Sequence, residues 1–263
     1  MSMDDIDKQP DSVSSVLKVF GILRALGEEQ EIGISELAQQ VMMSKSTVYR
    51  FLQTMKTLGY VTQEGDSDKY SLTMKLFELG SKSLQNVDVI RYANIQMREI
   101  SRQTKEAIHL GALDDDCIIY IHKIDSMYNL RMYSRIGRRN PIHTTAIGKV
   151  LLAWSEPQEL QDVLSKITFT RSTDKTITSV EDFIPVLEKA KEQGYAEDIE
   201  EQEEGLRCIA VPVFDRFGVV IVGLSISFPT IRFSEENKAN IVNMLHEAAR
   251  NISSQMGYHD YPF

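Results

Sequence analysis

Apolar residues recur at helical spacing near the start of the chain, where Val13, Val16, Leu17, Phe20, Leu23 and Leu26 predict an amphipathic helix. A shorter helix follows, with Ser35 as a candidate cap and Leu37, Ala38 and Val41 on one face. Met42, Met43 and Ser44 read as a turn. Ser44 can cap the next helix, whose inward stripe is Val48, Phe51, Leu52, Met55 and Leu58. The period then changes to two, and Tyr60 to Gln63 and Lys69 to Thr73 alternate like two strands around Glu64-Gly65-Asp66-Ser67-Asp68. Three helices and a hairpin over residues 12–76 make a small winged unit.

Helical patterning resumes at Met74 to Gln85 and Asp88 to Glu106, with Leu76, Leu79 and Leu84 in the first and Val89, Tyr92, Ile95, Met97 and Ile100 in the second. Their apolar faces must be covered by a partner chain or by the rest of this one. Beyond them, the runs AIHLGAL, CIIYIHKI and NLRMYS read as strands. Helices follow near Thr145 to Trp154, Gln158 to Ile167 and Val180 to Gln193. LRCIAVPVF and VVIVGLSISF are two more strands, linked by a turn at Asp215 to Gly218, and a long helix runs from Ser234 to Met256. This order predicts an α+β fold, a mixed sheet flanked by helices, close to small-molecule sensor domains. No GxGxxG or phosphate loop is present.

The polar face of the helix after Ser44 carries chemistry. Between Ser44 and Leu58 lie the cations Lys45, Arg50 and Lys56 and no carboxylate, although the chain holds 29 basic and 38 acidic side chains, net −9. Residues 1–80 hold eight cations against twelve acids, so this is no polybasic tail. Affinity for nucleic acid has to be local and salt-dependent. Ser44, Lys45, Ser46, Thr47, Tyr49, Arg50 and Gln53 form the expected DNA-reading set. Arg and Lys suit guanine edges or phosphates, Gln suits adenine, and the hydroxyls suit either base or backbone. The acidic hairpin tip would be repelled by phosphate, which leaves Lys69 at its base for a backbone contact. The plainer reading is a two-helix packing unit whose charged face meets only water.

Two features suggest a small-molecule site in the second half. In PIHTTAIGKVLLAW, Thr144 and Thr145 can cap a helix whose first turn has small residues, leaving backbone N–H groups open to an anion. Ser225 and Ser227 alternate in an otherwise apolar strand, so both hydroxyls share a face, as Cys208 and Ala210 do in the preceding strand. A threonine-capped helix and backbone-bonded serines are the ordinary alternatives. A thiol enzyme using Cys208 with His143 or His122 is a rival, but it lacks a nucleophile elbow and an orienting third residue. The five histidines are not closely paired, and no cofactor or metal is expected. The acidic run Asp198 to Glu204 reads as a solvated loop.

With 42% hydrophobic and 25% charged residues over 263 positions, the chain has the composition of a globular protein with room for two cores. Cys117 and Cys208 are too few for a disulfide framework and suit a reducing compartment. The start, MSMDDIDKQP, lacks the order of a signal peptide, and CIIYI and VVIVGL are far shorter than a bilayer span. A cytoplasmic location without a membrane anchor is expected.

The chain resembles the IclR family of bacterial transcriptional regulators along nearly its whole length. SELAQQVMMSKSTVYRFLQTMKTLGYV resembles the family's DNA-binding half. PIHTTAIGKVLLAW resembles its effector half, as does the spaced signature Gly194, Asp198, Glu201, Cys208, Ile209, Ala210, Val213, Phe214 and Asp215. The resemblance implies a flexible N-terminus over 1–11, a winged helix-turn-helix DNA-binding domain over 12–76 and linker helices over 77–105. A GAF-like effector domain over 106–258 and a tail over 259–263 complete it. Carried over by position, the effector site comprises Ala146, Ile147, Asp198, Cys208, Ser225 and Ser227, with Asp198 accepting hydrogen bonds from ligand hydroxyls. The implied partners are double-stranded operator DNA, a small carboxylate effector and further copies of the chain, as a homodimer or dimer of dimers. The implied function is a repressor of sugar-acid (2-keto-3-deoxygluconate, pectin-derived) catabolism and transport genes, released by that effector. A family regulator or activator sensing another small carboxylate is the alternative.

Overall fold

The computed structural model describes residues 13–29, 31–65, 67–84, 89–129 and 134–263. It divides into two compact units, Met1–Asn86 and Val87–Phe263. The expected flexible start, residues 130–133 of the expected strand NLRMYS and Asp66 of the hairpin tip lie outside the described residues.

The first unit contains helices α1 (Ser14–Glu28), α2 (Ile34–Gln40), α3 (Lys45–Thr57) and α4 (Met74–Leu84), and strands β1 (Ile32–Gly33), β2 (Val61–Gln63) and β3 (Lys69–Leu72). The strands form an antiparallel sheet in the order β1-β3-β2, so the hairpin gains a third strand that the two-residue IG segment was too short to announce. Its core joins Ile22 and Leu26 of α1 to Leu37, Ala38, Val48, Leu52, Met55, Val61 and Tyr70.

Three local expectations are corrected here. The buried face of α1 runs through Val19, Ile22 and Leu26, while Val13, Val16 and Phe20 stay exposed, Phe20 by 61%. Apolar residues all round α1 left its phase ambiguous, and packing on α2 and β3 chose it. Leu58 is 53% exposed because it caps α3 just as the chain turns away at Gly59, whose φ is 81°. Gly33, not Ser35, is the cap residue of α2, because Ile34 is already helical. The turn between α2 and α3 uses a left-handed Met42 (φ 51°), closed by the Met43 N–H donating to the Ala38 carbonyl at 3.0 Å.

The second unit holds α5 (Val89–Thr104), β4 (Ala107–Asp114), β5 (Cys117–Ile124), β6 (Arg139–Pro141), α6 (Ala146–Ala153), α7 (Pro157–Leu164), α8 (Val180–Gln193), β7 (Ala196–Ile199), β8 (Leu206–Phe214), β9 (Val220–Pro229) and α9 (Lys238–Gln255). Of two short 3-10 turns, Thr230–Arg232 follows β9 and Glu235–Asn237 occupies the start of what the pattern predicts as the final helix. The fold is α+β, but the sheet is not mixed. Its order is β6-β5-β4-β9-β8-β7, and every pairing among the described residues is antiparallel. Tight turns force this on β4–β5 and β8–β9. In the second, Asp215 Oδ1 accepts from the Phe217 and Val219 N–H groups at 2.9 and 3.0 Å.

Alternation along the strands separates two cores. Ile108, Leu110, Ile209, Val211, Leu224 and Ile226 face α5 and α9, with Val89, Ala93, Met97 and Ile100 of α5 buried in the same cluster. The apolar face of α5 is thus covered by its own unit. The opposite sheet face carries α6, which packs with α8 around Ile118, Val150, Leu152, Phe183 and Leu187. All candidate effector residues lie on this second side.

Candidate functional site

α3 is built as a cation-bearing surface on a fixed core. The Thr47 N–H donates to Ser44 Oγ at 3.2 Å, and Ser44 Oγ lies 3.1 Å from Ser46 Oγ and 2.8 Å from Thr47 Oγ1. These hydroxyls organise the start of the helix. Val48, Leu52 and Met55 anchor the inner side, leaving Lys45, Ser46, Tyr49 and Arg50 exposed together. Gln53 is half-buried and donates a long hydrogen bond to Tyr70 of β3, 3.4 Å. Lys56 Nζ donates to Gln63 at 3.0 Å, tying α3 to β2. Lys69 forms an ion pair with Glu31 at 2.6 Å, both about half exposed, so a phosphate contact would have to replace that carboxylate.

On the effector side, α6 begins at Thr145, whose Oγ1 accepts from the Gly148 N–H at 3.1 Å. The Ala146 and Ile147 N–H groups, at the first two helical positions, have no intrahelical acceptor. The approach to this turn is very close: a Cβ on Gly148 would lie 2.2 Å from the Ile142 carbonyl oxygen. Ile147 fits because the sheet beneath it is glycine, and a Cβ at Gly223 or Gly111 would fall 2.9 or 3.1 Å from its Cγ2.

The strands deliver their polar residues to the same side. Asp198 pairs with Cys208 across β7 and β8, Cys208 with Ser227 across β8 and β9, and Ser225 with Ala210. Cys208 Sγ lies 3.2 Å from Ser227 Oγ. Asp198, Ser225 and Ser227 are all buried. The structure therefore brings the six predicted effector residues to one face, where α6 covers the sheet.

Asp198 Oδ1 accepts from the Glu201 and Gln202 N–H groups at 2.8 and 3.3 Å. Burial nonetheless pushes its pKa up to about 7, against those hydrogen bonds and nearby Lys149. The acidic run Asp198 to Glu204 is thus not simply a solvated loop, because Asp198 and Glu201 point inward. Glu201 is ion-paired with Lys149, only 1% exposed, and Lys149 Nζ also donates to the Glu197 carbonyl at 2.8 Å.

The raised Asp198 pKa makes a signed prediction. Asp198 is charged above pH 7 in the folded chain and above about 4 when unfolded. Its contribution to stability is therefore full below pH 4 and lost as pH rises through 7. Asp198→Asn keeps an acceptor for the two N–H groups and removes the buried charge. At pH 8 it should stabilise the chain by about 2–4 kcal/mol relative to wild type. Little difference should remain at pH 4. Urea denaturation at both values checks this, and a gap that does not vary with pH would contradict it.

Sequence reading missed His109, Tyr120 and the Lys149–Glu201 pair. His109 and Tyr120 sit inside apolar strand runs with no spacing that separates them from core residues. Lys149 is a cation in an otherwise apolar helix, the one signal of a buried partner. Burial pushes the Cys208 thiol well up, so no ready thiolate is available for the thiol-enzyme reading. Among the described residues, no three His, Cys, Asp or Glu side chains form a group able to hold a metal ion, and no helix is long and apolar enough to cross a membrane.

Residues 15–65 match the IclR helix-turn-helix domain, and residues 81–254 match the bacterial transcriptional regulator IclR C-terminal domain. The chain belongs to the IclR family. It is 75% identical over 263 residues to the HTH-type transcriptional regulator KdgR of Escherichia coli K12, covering 100% of both chains. It has the same identity to KdgR of Dickeya chrysanthemi, covering 100% of this chain and 86% of that protein. The crystal structure of the C-terminal domain of E. coli KdgR matches at 66% identity and a TM-score of 0.61, covering 65% of this chain and 100% of that one. An IclR homologue from Microbacterium hydrocarbonoxydans, complexed with 4-hydroxybenzoate, matches at 25% identity and a TM-score of 0.82, covering 92% and 99%. Like its IclR relatives, this chain is a DNA-binding transcriptional regulator with an effector-binding domain, and not an enzyme.

Proposed function

We propose that this regulator is a cytoplasmic repressor of sugar-acid catabolism and transport genes, released from its operator by a hydroxylated keto acid of the 2-keto-3-deoxygluconate type. The observation that carries this reading is the pairing of the helix-start amides at Ala146 and Ile147, which have no intrahelical acceptor, with a polar patch of Asp198, Cys208, Ser225 and Ser227 on the covered sheet face. The amides and helix dipole suit a carboxylate. The side chains suit the hydroxyls at the other end of such an acid. Identity to the two KdgR proteins favours the same effector class.

Operator contact is assigned to Ser44, Lys45, Ser46, Thr47, Tyr49 and Arg50, joined by Gln53 and Lys69 if Tyr70 and Glu31 yield them. A two-fold dimer would place two α3 helices on a palindromic site. Exposed Phe20 of α1 and Met74 and Phe77 of α4 offer apolar surface for a second copy. Release from nearly full to nearly empty occupancy requires the effector to prefer the released state by about 5.5 kcal/mol.

Calorimetry and gel shifts on the full chain test this. 2-Keto-3-deoxygluconate should give heat and displace operator DNA, whereas 4-hydroxybenzoate should do neither. The reverse pattern would overturn the ligand assignment.

A further inference from the structure

We propose that Tyr120 forms a further wall of the effector site, backed by His109, and that its hydroxyl reads an oxygen in the hydroxylated portion of the acid. This rests on the reading of the α6-covered sheet face as the effector site, and it adds a specificity-determining residue to it.

The placement starts from a backbone irregularity. β4 and β5 pair with a register shift between Leu110 and Gly111, so that His109 pairs with Lys123 while Gly111 pairs with Tyr120. Such a shift re-aims side chains. Here it leaves the His109 and Tyr120 rings stacked, with centroids 4.7 Å apart and planes at 28°. Gly111 supplies the room, since it has no side chain opposite Tyr120 and faces Ile147 instead. Tyr120 thereby packs against the apolar cluster under α6.

The chemistry follows from what each polar atom lacks. Burial pushes the Tyr120 phenol well up, with the thiol of Cys208 and the carboxylate of Asp198 near enough to add to the effect, so the hydroxyl keeps its proton. Tyr120 is half-buried, and among the described residues its hydroxyl makes no side-chain hydrogen bond and is not one of the enclosed polar atoms left without a partner, so it stays accessible at the edge of the site. A free donor beside Asp198 and Cys208 is what a ligand oxygen would meet.

His109 fixes this wall from behind. Fully buried, its pKa is pushed down to about 3 by desolvation and by Lys123, with Asp125 opposing, so the imidazole is neutral. Its Nε2 lies 2.8 Å from Ser134 Oγ and its Nδ1 3.4 Å from Ser227 Oγ. Ser227 continues to Cys208. The ring therefore has both nitrogens committed, which holds it under Tyr120. An uncharged wall of this kind suits hydroxyl or carbonyl oxygens, and the carboxylate of the same ligand is left to the α6 amides.

The test is Tyr120→Phe, which removes one oxygen and keeps the ring. Calorimetry on the full chain with 2-keto-3-deoxygluconate and with pyruvate separates the polyol contact from the carboxylate contact. The variant should bind 2-keto-3-deoxygluconate about tenfold more weakly, bind pyruvate as wild type does, and keep its melting temperature and effector-free operator affinity. Equal affinity of variant and wild type for 2-keto-3-deoxygluconate overturns the Tyr120 assignment alone. An equal loss for both acids overturns it too, because it indicates a general disturbance of the site. A wild-type chain that gives heat with neither acid overturns the effector reading and this inference with it.

Discussion

Lys149→Met should lower the stability of the folded chain by about 3–5 kcal/mol, the cost of leaving a buried partner charge uncompensated. Lys149 is almost wholly enclosed by α6 and β7, and its ammonium is shared between the Glu201 carboxylate and the Glu197 carbonyl. Methionine fills the space but strands Glu201, whose second oxygen already has no partner among the described residues. The double variant Lys149→Met/Glu201→Leu should recover most of the loss, since an apolar pair of similar volume carries no desolvated charge. Chemical denaturation of both variants checks the pair. A single variant within about 1 kcal/mol of wild type would show that Glu201 escapes to solvent. The double variant should leave the Asp198 loop anchored, because the bonds that hold it use backbone groups of Glu200, Glu201 and Gln202 that neither substitution removes. The Glu201 and Gln202 N–H groups hold Asp198 in place, and the Thr173 and Thr176 hydroxyls fasten the same loop through the carbonyls of Glu200 and Glu201.

Arg50→Ala should weaken operator binding by about 1–3 kcal/mol if the guanidinium reads a base. It should also lower the dependence of affinity on salt if it neutralises a phosphate. Arg50 is exposed, one turn along α3 from its capped start, and its removal leaves Val48, Leu52 and Met55 packed. The folded state should therefore be unchanged, and effector binding with it. Gel shifts on operator and on scrambled duplex distinguish the two roles: a loss confined to operator marks base reading, and an equal loss on both marks a phosphate contact. Wild-type affinity on both duplexes would remove Arg50 from the interface. Because the net charge of the chain is −9, the remaining cations of α3 have no surplus of positive charge behind them.

Much of this molecule was legible in its residues. The Ser44 cap, the cation-only helix after it, the hairpin and the strands Cys117–Ile124 and Leu206–Phe214 follow from local chemistry that is the same in the sequence and in the fold. Period-two placement also put Ser225 and Ser227 on one face before any sheet was seen, and the family resemblance added Asp198 and Cys208. The phase of α1 was not legible, because apolar residues surround it and only its neighbours choose which are covered. The antiparallel order of the sheet was not legible either, since the pairing of β4 with β9 joins residues more than a hundred positions apart.

What the sequence by itself determined was the local alphabet: the caps of α3 and α6 at Ser44 and Thr145, where turns fall, and which helix carries positive charge. The tertiary structure alone decided which polar groups lose their water. His109 and Tyr120 blend into apolar strand runs, and their chemistry, like that of Lys149 and Asp198, arises from distant segments that enclose them, because desolvation depends on three-dimensional surroundings and not on neighbours in sequence.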